Sequence, residues 1–351
     1  MPWTTKINSR PPAIESTSVN QRGLTLVELM IAMAIGLIMV SVVAMAFVSN
    51  SAATRTLLAT TQLQESARFA LDYLARDVRE AGSYPCGDQS ELANVLTSAS
   101  ANGGSIDWAN FDTPVSGYED SEAVTDIDSF TGYGRRVAGT DALRLIVSTG
   151  SHYSIRDHDT VAAQFDLNDG THSVGAGDIL LACDYEQTTI FQASSVGVGS
   201  ADIAHISGTG SPGNCTTGLG SPVTCTSTGT PYRFEEDGVI VAIRPAYWYV
   251  GCNDRADCGT PAGRSLFFTY LNSATLMPQD VIDGVMDFQL TYLLQAENSY
   301  QTASVIPADD WENVVGVHVL LNLLEVNVGV GNQGSDIERN VDFVIAVRSR
   351  L

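Results

Sequence analysis

The sequence predicts an α+β protein in which one long N-terminal helix packs on an antiparallel, β-rich globular domain. Three observations carry that expectation. Leu24–Val48 is a run of 25 residues with a single charge; an apolar stripe at helical spacing continues the run to residue 81; and beyond Pro85 short β-type runs alternate with Gly, Ser, Thr, Asn and Asp.

Residues 1–23 carry Lys6, Arg10 and Arg22 against Glu15, a charge of +2 in a chain whose total is −22, so residues 24–351 hold −24. An acidic balance of that size disfavours direct nucleic-acid binding, which draws on Lys and Arg to neutralise phosphates. Lys6 is the only lysine among 18 basic residues. A phosphate-loop lysine, a Schiff-base lysine and a lysine-rich phosphate stripe are therefore excluded beyond position 6.

The apolar run Leu24–Val48 exceeds the roughly 20 residues a helix needs to cross a bilayer. A secretory signal would have a shorter apolar centre followed by a small-x-small site, whereas here the small residue at the boundary is Gly23, in front of the run. The positive flank places the amino end in the cytoplasm and the bulk of the chain across the membrane.

From Ser49 to Ala81 there is no proline, and Leu63, Ala67, Leu71, Leu74 and Val78 recur at spacings of three and four. Arg55, Glu65, Arg68, Asp72, Arg76, Asp77, Arg79 and Glu80 are expected on the other faces, with Arg68–Asp72 and Asp72–Arg76 as i,i+4 pairs. Gly82 followed by Pro85 ends the helix. A helix from about Thr25 to Ala81 would be about 85 Å long at about 1.5 Å per residue.

Glu28 turns a membrane anchor into a more specific expectation, because a carboxylate in a membrane helix needs a partner. The plain reading is a headgroup-level residue stabilised by the helix N-terminus. Its surroundings, Arg22-Gly23-Leu24-Thr25-Leu26-Val27-Glu28-Leu29, resemble the type IV prepilin signal. The resemblance implies cleavage by prepilin peptidase between Gly23 and Leu24, N-methylation of Leu24, and a role for Glu28 in assembly and axial register, its carboxylate neutralised by the amino terminus of a neighbouring subunit. Leu24 stands where the family usually has phenylalanine, and the 23-residue leader is longer than that of the short-leader class.

In the body, strands are expected at Ala142–Ser148, Asp178–Cys183, Thr189–Ala193, Val239–Ile243, Ala246–Val250, Leu266–Tyr270, Asp287–Leu294, Val314–Leu324 and Val341–Val347, with long surface loops at 97–140 and 194–230. The blocks LDYLARDVREAGSYPC, GTDALRLIVSTG, GDILLACDYEQTTIFQAS, DVIDGVMDFQLTYLL and VDFVIAVRSRL resemble, in order, those of the PilW family of minor pilins. The first is sharp, and the rest argue by their joint order. The J-type pseudopilins of type II secretion share the signal and the plan, with generally shorter bodies.

Six cysteines, Cys86, Cys183, Cys215, Cys225, Cys252 and Cys258, all follow the membrane segment and read as disulfides in an oxidising compartment. Proximity suggests Cys215–Cys225 and Cys252–Cys258, leaving Cys86–Cys183. A zinc site is the weaker reading, since there is no CxxC and no His beside any Cys. The acidic stretches Glu119–Asp128 and Asp157–Asp169 offer oxygen ligands without EF-hand spacing and are expected as solvated loops. His152, His158 and His172 are expected to face solvent there, and Trp108, Trp248 and Trp311 to anchor packing.

No catalytic signature is present: no GxSxG, no HExxH, no phosphate loop and no Cys–His neighbourhood. The expectation is a non-enzymatic subunit with no cofactor and no metal. It comprises a leader, 1–23; a helix, 24–81, whose membrane part is 24–48; and a disulfide-containing β-rich domain, 82–351. Its expected partners are prepilin peptidase, inner-membrane lipid before assembly, and other minor and major pilins in a cell-surface type IV pilus, at or near the tip. The rival readings are a J-type pseudopilin, a membrane-anchored adhesin or sensor, and a tethered hydrolase.

Overall fold

In the computed structural model, which describes residues 23–83, 85–86, 91–104, 109–111, 113–120, 122–197, 201–272, 275–328 and 335–348, helix α1 runs unbroken over Leu26–Glu80. Lys6, Trp108 and the leader residues 1–22 lie outside the described residues. Gly82 ends the helix at φ 65°, and its N–H donates to the Ile146 carbonyl at 3.1 Å, so the capping turn is tied into the sheet.

The chain divides into two compact units, one ending at Ala53 and one beginning at Thr54. In the first unit, every residue from Gly23 to Asn50 is exposed, and the helix there is long and apolar enough to cross a membrane. Its one hydroxyl in mid-run, Ser41, donates back to the Leu37 carbonyl at 2.8 Å, which leaves no polar group needing water.

In the second unit the helix packs by Leu63, Ala67, Ala70, Leu74, Ala75, Asp77 and Val78. The expected stripe holds at Leu63, Ala67, Leu74 and Val78 and departs at one position, where Ala70 is buried and Leu71 half-exposed. Asp77 corrects the sequence expectation, for it lies on the buried face. Trp248 explains the placement: its indole N–H donates to Asp77 Oδ2 at 3.0 Å, giving a buried donor its acceptor. Arg68–Asp72 is present at 3.9 Å and fully at the surface, while Arg76 pairs with Glu80 at 3.3 Å rather than with Asp72. Such pairs contribute little.

Fifteen strands follow among the described residues. They are β1 (Glu91–Asn94), β2 (Val115–Tyr118), β3 (Ala142–Asp159), β4 (Gln164–Leu167) and β5 (Ile179–Cys183). Next come β6 (Gln187–Gln192), β7 (Ser195–Val196), β8 (Asp202–Ala204), β9 (Val239–Cys252) and β10 (Arg264–Asn272). The last five are β11 (Thr275–Leu276), β12 (Gln279–Asp283), β13 (Val285–Leu294), β14 (Val314–Val328) and β15 (Ser335–Ala346). Twelve form one sheet, ordered β1-β6-β5-β9-β3-β4-β8-β7, with β10 beside β9, β11 and β12 on β10, and β2 on β3; β13-β14-β15 form a second. Every pair is antiparallel except β1–β6, which runs parallel. The architecture is thus the expected α+β plan with a mixed larger sheet.

The central strands are buried on both faces, which accounts for their unbroken apolar runs. On β3, Leu143, Leu145 and Val147 face the helix-side core, as do Ala246, Trp248 and Val250 of β9. Ile146, Val241 and Ile243 enter a second core with Leu181 and Phe111 on the opposite side. The segments Val239–Ile243 and Ala246–Val250, expected as two strands, are one, β9, despite Pro245. On one side β9 pairs with β5 up to Ala242 and with β10 from Ala246, so the missing proline N–H falls where neither strand offers an acceptor.

The loops expected at the surface also depart from expectation. In 97–140, Phe111, Val124 and Ile127 are fully buried, as is Leu219 in 194–230. The buried Arg136 holds the first loop by donating to the carbonyls of Glu122 (2.7 Å), Asp120 (2.9 Å) and Thr140 (2.8 Å). Three disulfides, Cys86–Cys183, Cys215–Cys225 and Cys252–Cys258, brace the unit, and no described cysteine is free.

Burial raises the Asp77 carboxyl to about 6, the nearby Glu80 carboxylate adding to it against the Trp248 hydrogen bond. A carboxyl raised in the fold binds its proton more tightly than in the unfolded chain. Its stabilising contribution is therefore complete near pH 4 and lost as pH rises through about 6. Asp77→Asn is expected to remove that slope and to stabilise the protein at pH 8 by about 2 kcal/mol. Urea midpoints of both proteins from pH 4 to 8 measure it, and curves that stay parallel would contradict the assignment.

Candidate functional site

The residues singled out by sequence at the amino end fall at the start of α1. Gly23 is exposed and non-helical, and Leu24 is 76% exposed just outside the helix. Thr25 is the residue before the first helical turn, and the Leu29 N–H donates to its carbonyl at 3.1 Å.

Thr25 and Glu28 are joined by three hydrogen bonds. The Glu28 N–H donates to Thr25 Oγ1 at 3.3 Å, and the Thr25 N–H donates to Glu28 Oε2 at 3.1 Å. The Thr25 hydroxyl also donates to the same Oε2 at 3.0 Å. This reciprocal pair is a capping box, the Thr-x-x-Glu pattern that satisfies two of the four backbone donors left open at a helix start. Its spacing was legible in Thr25-Leu26-Val27-Glu28 once Glu28 is considered as a cap and not only as a charge at a dipole. Both contacts use Oε2, so no described contact engages Oε1, and the carboxylate sits where the helix N-terminus favours a negative charge.

The acidic stretches resolve into caps and ion pairs. Asp157 pairs with Arg233 at 2.6 Å and Asp166 with Arg156, while Asp159 accepts the N–H groups of Val161 and Ala162, both at 2.9 Å. Asp126 accepts the Tyr247 hydroxyl at 2.5 Å, and Asp128 the Val124 N–H at 2.7 Å. Among the described residues no group of three or more His, Cys, Asp or Glu converges as a metal-ligand set.

His152 is exposed and His172 half-buried, but His158 is buried, a correction to the expected solvent-facing role. It stacks on Phe165 at 4.1 Å and meets a second buried imidazole, His205, which sequence reasoning missed. Trp248 is wholly buried in the helix-side core, and Trp311 packs edge-on against Tyr292 at 4.9 Å.

Comparison with known proteins matches residues 19–44 to the model described as the prokaryotic N-terminal methylation motif. No curated protein and no solved structure matches the chain. The motif encloses Gly23, Leu24 and the capping box. It implies a pilin or pseudopilin, a class of structural subunits processed by prepilin peptidase, anchored in the inner membrane and assembled with other pilins.

Proposed function

We propose that the chain is a minor pilin of the PilW family, cut between Gly23 and Leu24, methylated at Leu24, and added at or near the tip of a type IV pilus. The observation that carries this reading is the methylation motif lying over an exposed Gly23–Leu24 peptide and a capped Glu28. The ordered blocks along residues 71–351 favour a pilus subunit over a J-type pseudopilin. In this reading residues 1–23 are a leader, 24–81 the assembly helix and 82–351 the presented domain.

Each group has a defined task. Gly23, without a side chain, lets the peptidase approach the backbone on its amino side. Cleavage exposes the Leu24 amine, and with Lys6 removed it is the only amine of the mature chain. Glu28 Oε2 holds the first helical turn, and Oε1 is offered to the amine of a neighbouring subunit, so a carboxylate entering lipid arrives already half-paired.

Expression with and without prepilin peptidase, followed by mass spectrometry of the amino terminus, tests the reading. A terminus at methylated Leu24 only with the peptidase is expected, and Gly23→Val is expected to block it; an uncut chain in both cells would overturn it. Glu28→Ala is expected to be cut normally yet to be absent from sheared filaments. If Glu28→Ala stays on the surface at wild-type level, the chain is an anchored adhesin or sensor. Loss of secretion and not of pili on deletion would assign it to the pseudopilins.

A further inference from the structure

A third core, built from Ile155, Phe165, Phe191, Ile203 and Phe234, holds a polar contact that neither processing nor assembly uses. His158, near the end of β3, and His205, just beyond β8, are 1% and 0% exposed, and their Nε2 atoms lie 3.1 Å apart. They sit in a cage of Phe165 from β4, Phe191 from β6 and Phe234.

The protons of this pair are fixed by a third group. The Phe234 backbone N–H donates to His158 Nδ1 at 3.2 Å, so Nδ1 is an acceptor and the His158 proton is on Nε2. Nε2–H then donates to His205 Nε2, which makes His205 the Nδ1–H tautomer. Two neutral imidazoles have two lone pairs between them, and both are occupied by N–H donors. A third proton has no vacant lone pair in the cage. On His205 Nε2 it would face the His158 N–H; on His158 Nδ1 it would face the Phe234 N–H. Either way a hydrogen bond is replaced by two opposed donors and a buried charge.

We propose that the His158–His205 contact is an acid-released latch: uptake of a proton by either imidazole breaks it and frees the segment around His205 from β3. The latch joins two stretches 47 residues apart, supported by the His205 N–H donating to the Ala163 carbonyl at 2.9 Å and by three-residue β8 on β4. The charges around it are few. Asp157 and Asp159 lie on the strand of His158, and Arg233 donates to the His158 carbonyl at 3.3 Å while paired with Asp157. Asp166 of β4 is held by Arg156, and the cage itself is aromatic. Burial, with Arg233 adding to it at His158 and the second imidazole at His205, holds both rings below the ordinary histidine range. Imidazoles depressed in the fold and normal when released stabilise the closed form in full above about pH 6.5, and that stabilisation is lost progressively as pH falls from there through about 4.

The test is deuterium exchange of the amides of residues 201–206 in the full chain in detergent micelles, corrected for the intrinsic pH dependence. Between pH 6 and 5 the open fraction is expected to rise about tenfold for each proton taken up. His205→Gln, whose side-chain oxygen accepts the His158 Nε2–H without titrating, is expected to lower that rise by at least one proton's worth. Wild-type exchange independent of pH, or an unchanged rise in His205→Gln, overturns the latch. Should that variant not fold, the imidazole carbon signals of the wild type decide. Both rings are expected to stay neutral until protection at 201–206 is lost, and a ring that charges with protection intact overturns it.

Discussion

Trp248→Ala is expected to destabilise the β-rich unit by about 5 kcal/mol. Trp248 is fully buried, meets Tyr73 of the helix edge-on at 5.3 Å and Phe268 of β10 at 5.1 Å, and so is the side chain on which helix and sheet are fitted together. Truncating a buried tryptophan costs about 3–5 kcal/mol in transfer and cavity terms. The Asp77 carboxyl then also loses its donor, at about 1–3 kcal/mol. Trp248→Phe separates the two: it keeps most of the volume and loses the N–H, so about 2 kcal/mol is expected. Asp77→Leu in the Trp248→Phe background is expected to recover part of that loss, since the pair is then apolar. Urea unfolding with the disulfides intact measures all three, and a Trp248→Ala loss under about 1 kcal/mol would refute the packing role.

The second large effect is expected at Asp141, where one buried carboxylate joins three parts of the chain. Its own N–H donates to Phe288 of β13, Oδ1 accepts the Asp120 N–H at 3.0 Å, and Oδ2 accepts the Leu290 N–H at 2.7 Å. Asp141→Ala removes the acceptor of the buried Leu290 N–H and that of the Asp120 N–H, two hydrogen bonds to a charged group, for a loss of about 3 kcal/mol. Asp141→Asn is not a neutral control here. Its amide supplies one oxygen for two donors and turns an NH2 toward the other, so it too is expected to destabilise, by about 2 kcal/mol. Exchange of the Asp120 and Leu290 amides should rise in both variants, and unchanged protection at Leu290 would contradict the bridge.

The sequence made the helix legible because its signals are local: an apolar run, a repeated spacing of three and four, and a glycine stop at Gly82. Asp77 escaped because residue class assigns a carboxylate to the wet face, and only the unmet donor of a buried tryptophan hints otherwise. Pro245 read as a break because the exchange of β5 for β10 beside it is a long-range arrangement that no window of residues encodes. The loop 97–140 read as exposed by its Gly and Ser content, while its order depends on Arg136 reaching three carbonyls and on Asp141 reaching β13. At the amino end, Gly23, Leu24 and Glu28 were legible and the second partner, Thr25, was spaced for discovery. The His158–His205 pair had no local signal at all, since neither residue sits in a pattern and their contact exists only when β4 and β8 are in place.

The Cys86–Cys183 disulfide has a mechanical consequence. Tension drawn along the helix leaves it at Glu80 and reaches Cys86 within six residues, where the sulfur bridge carries it directly into β5. The chain between the two cysteines, 97 positions in span, is shunted out of the load path. A pull on an oxidised subunit therefore cannot pay out that stretch. After reduction the same pull gains about 330 Å of contour at about 3.4 Å per residue, so the redox state of one bond sets how far the subunit can be stretched.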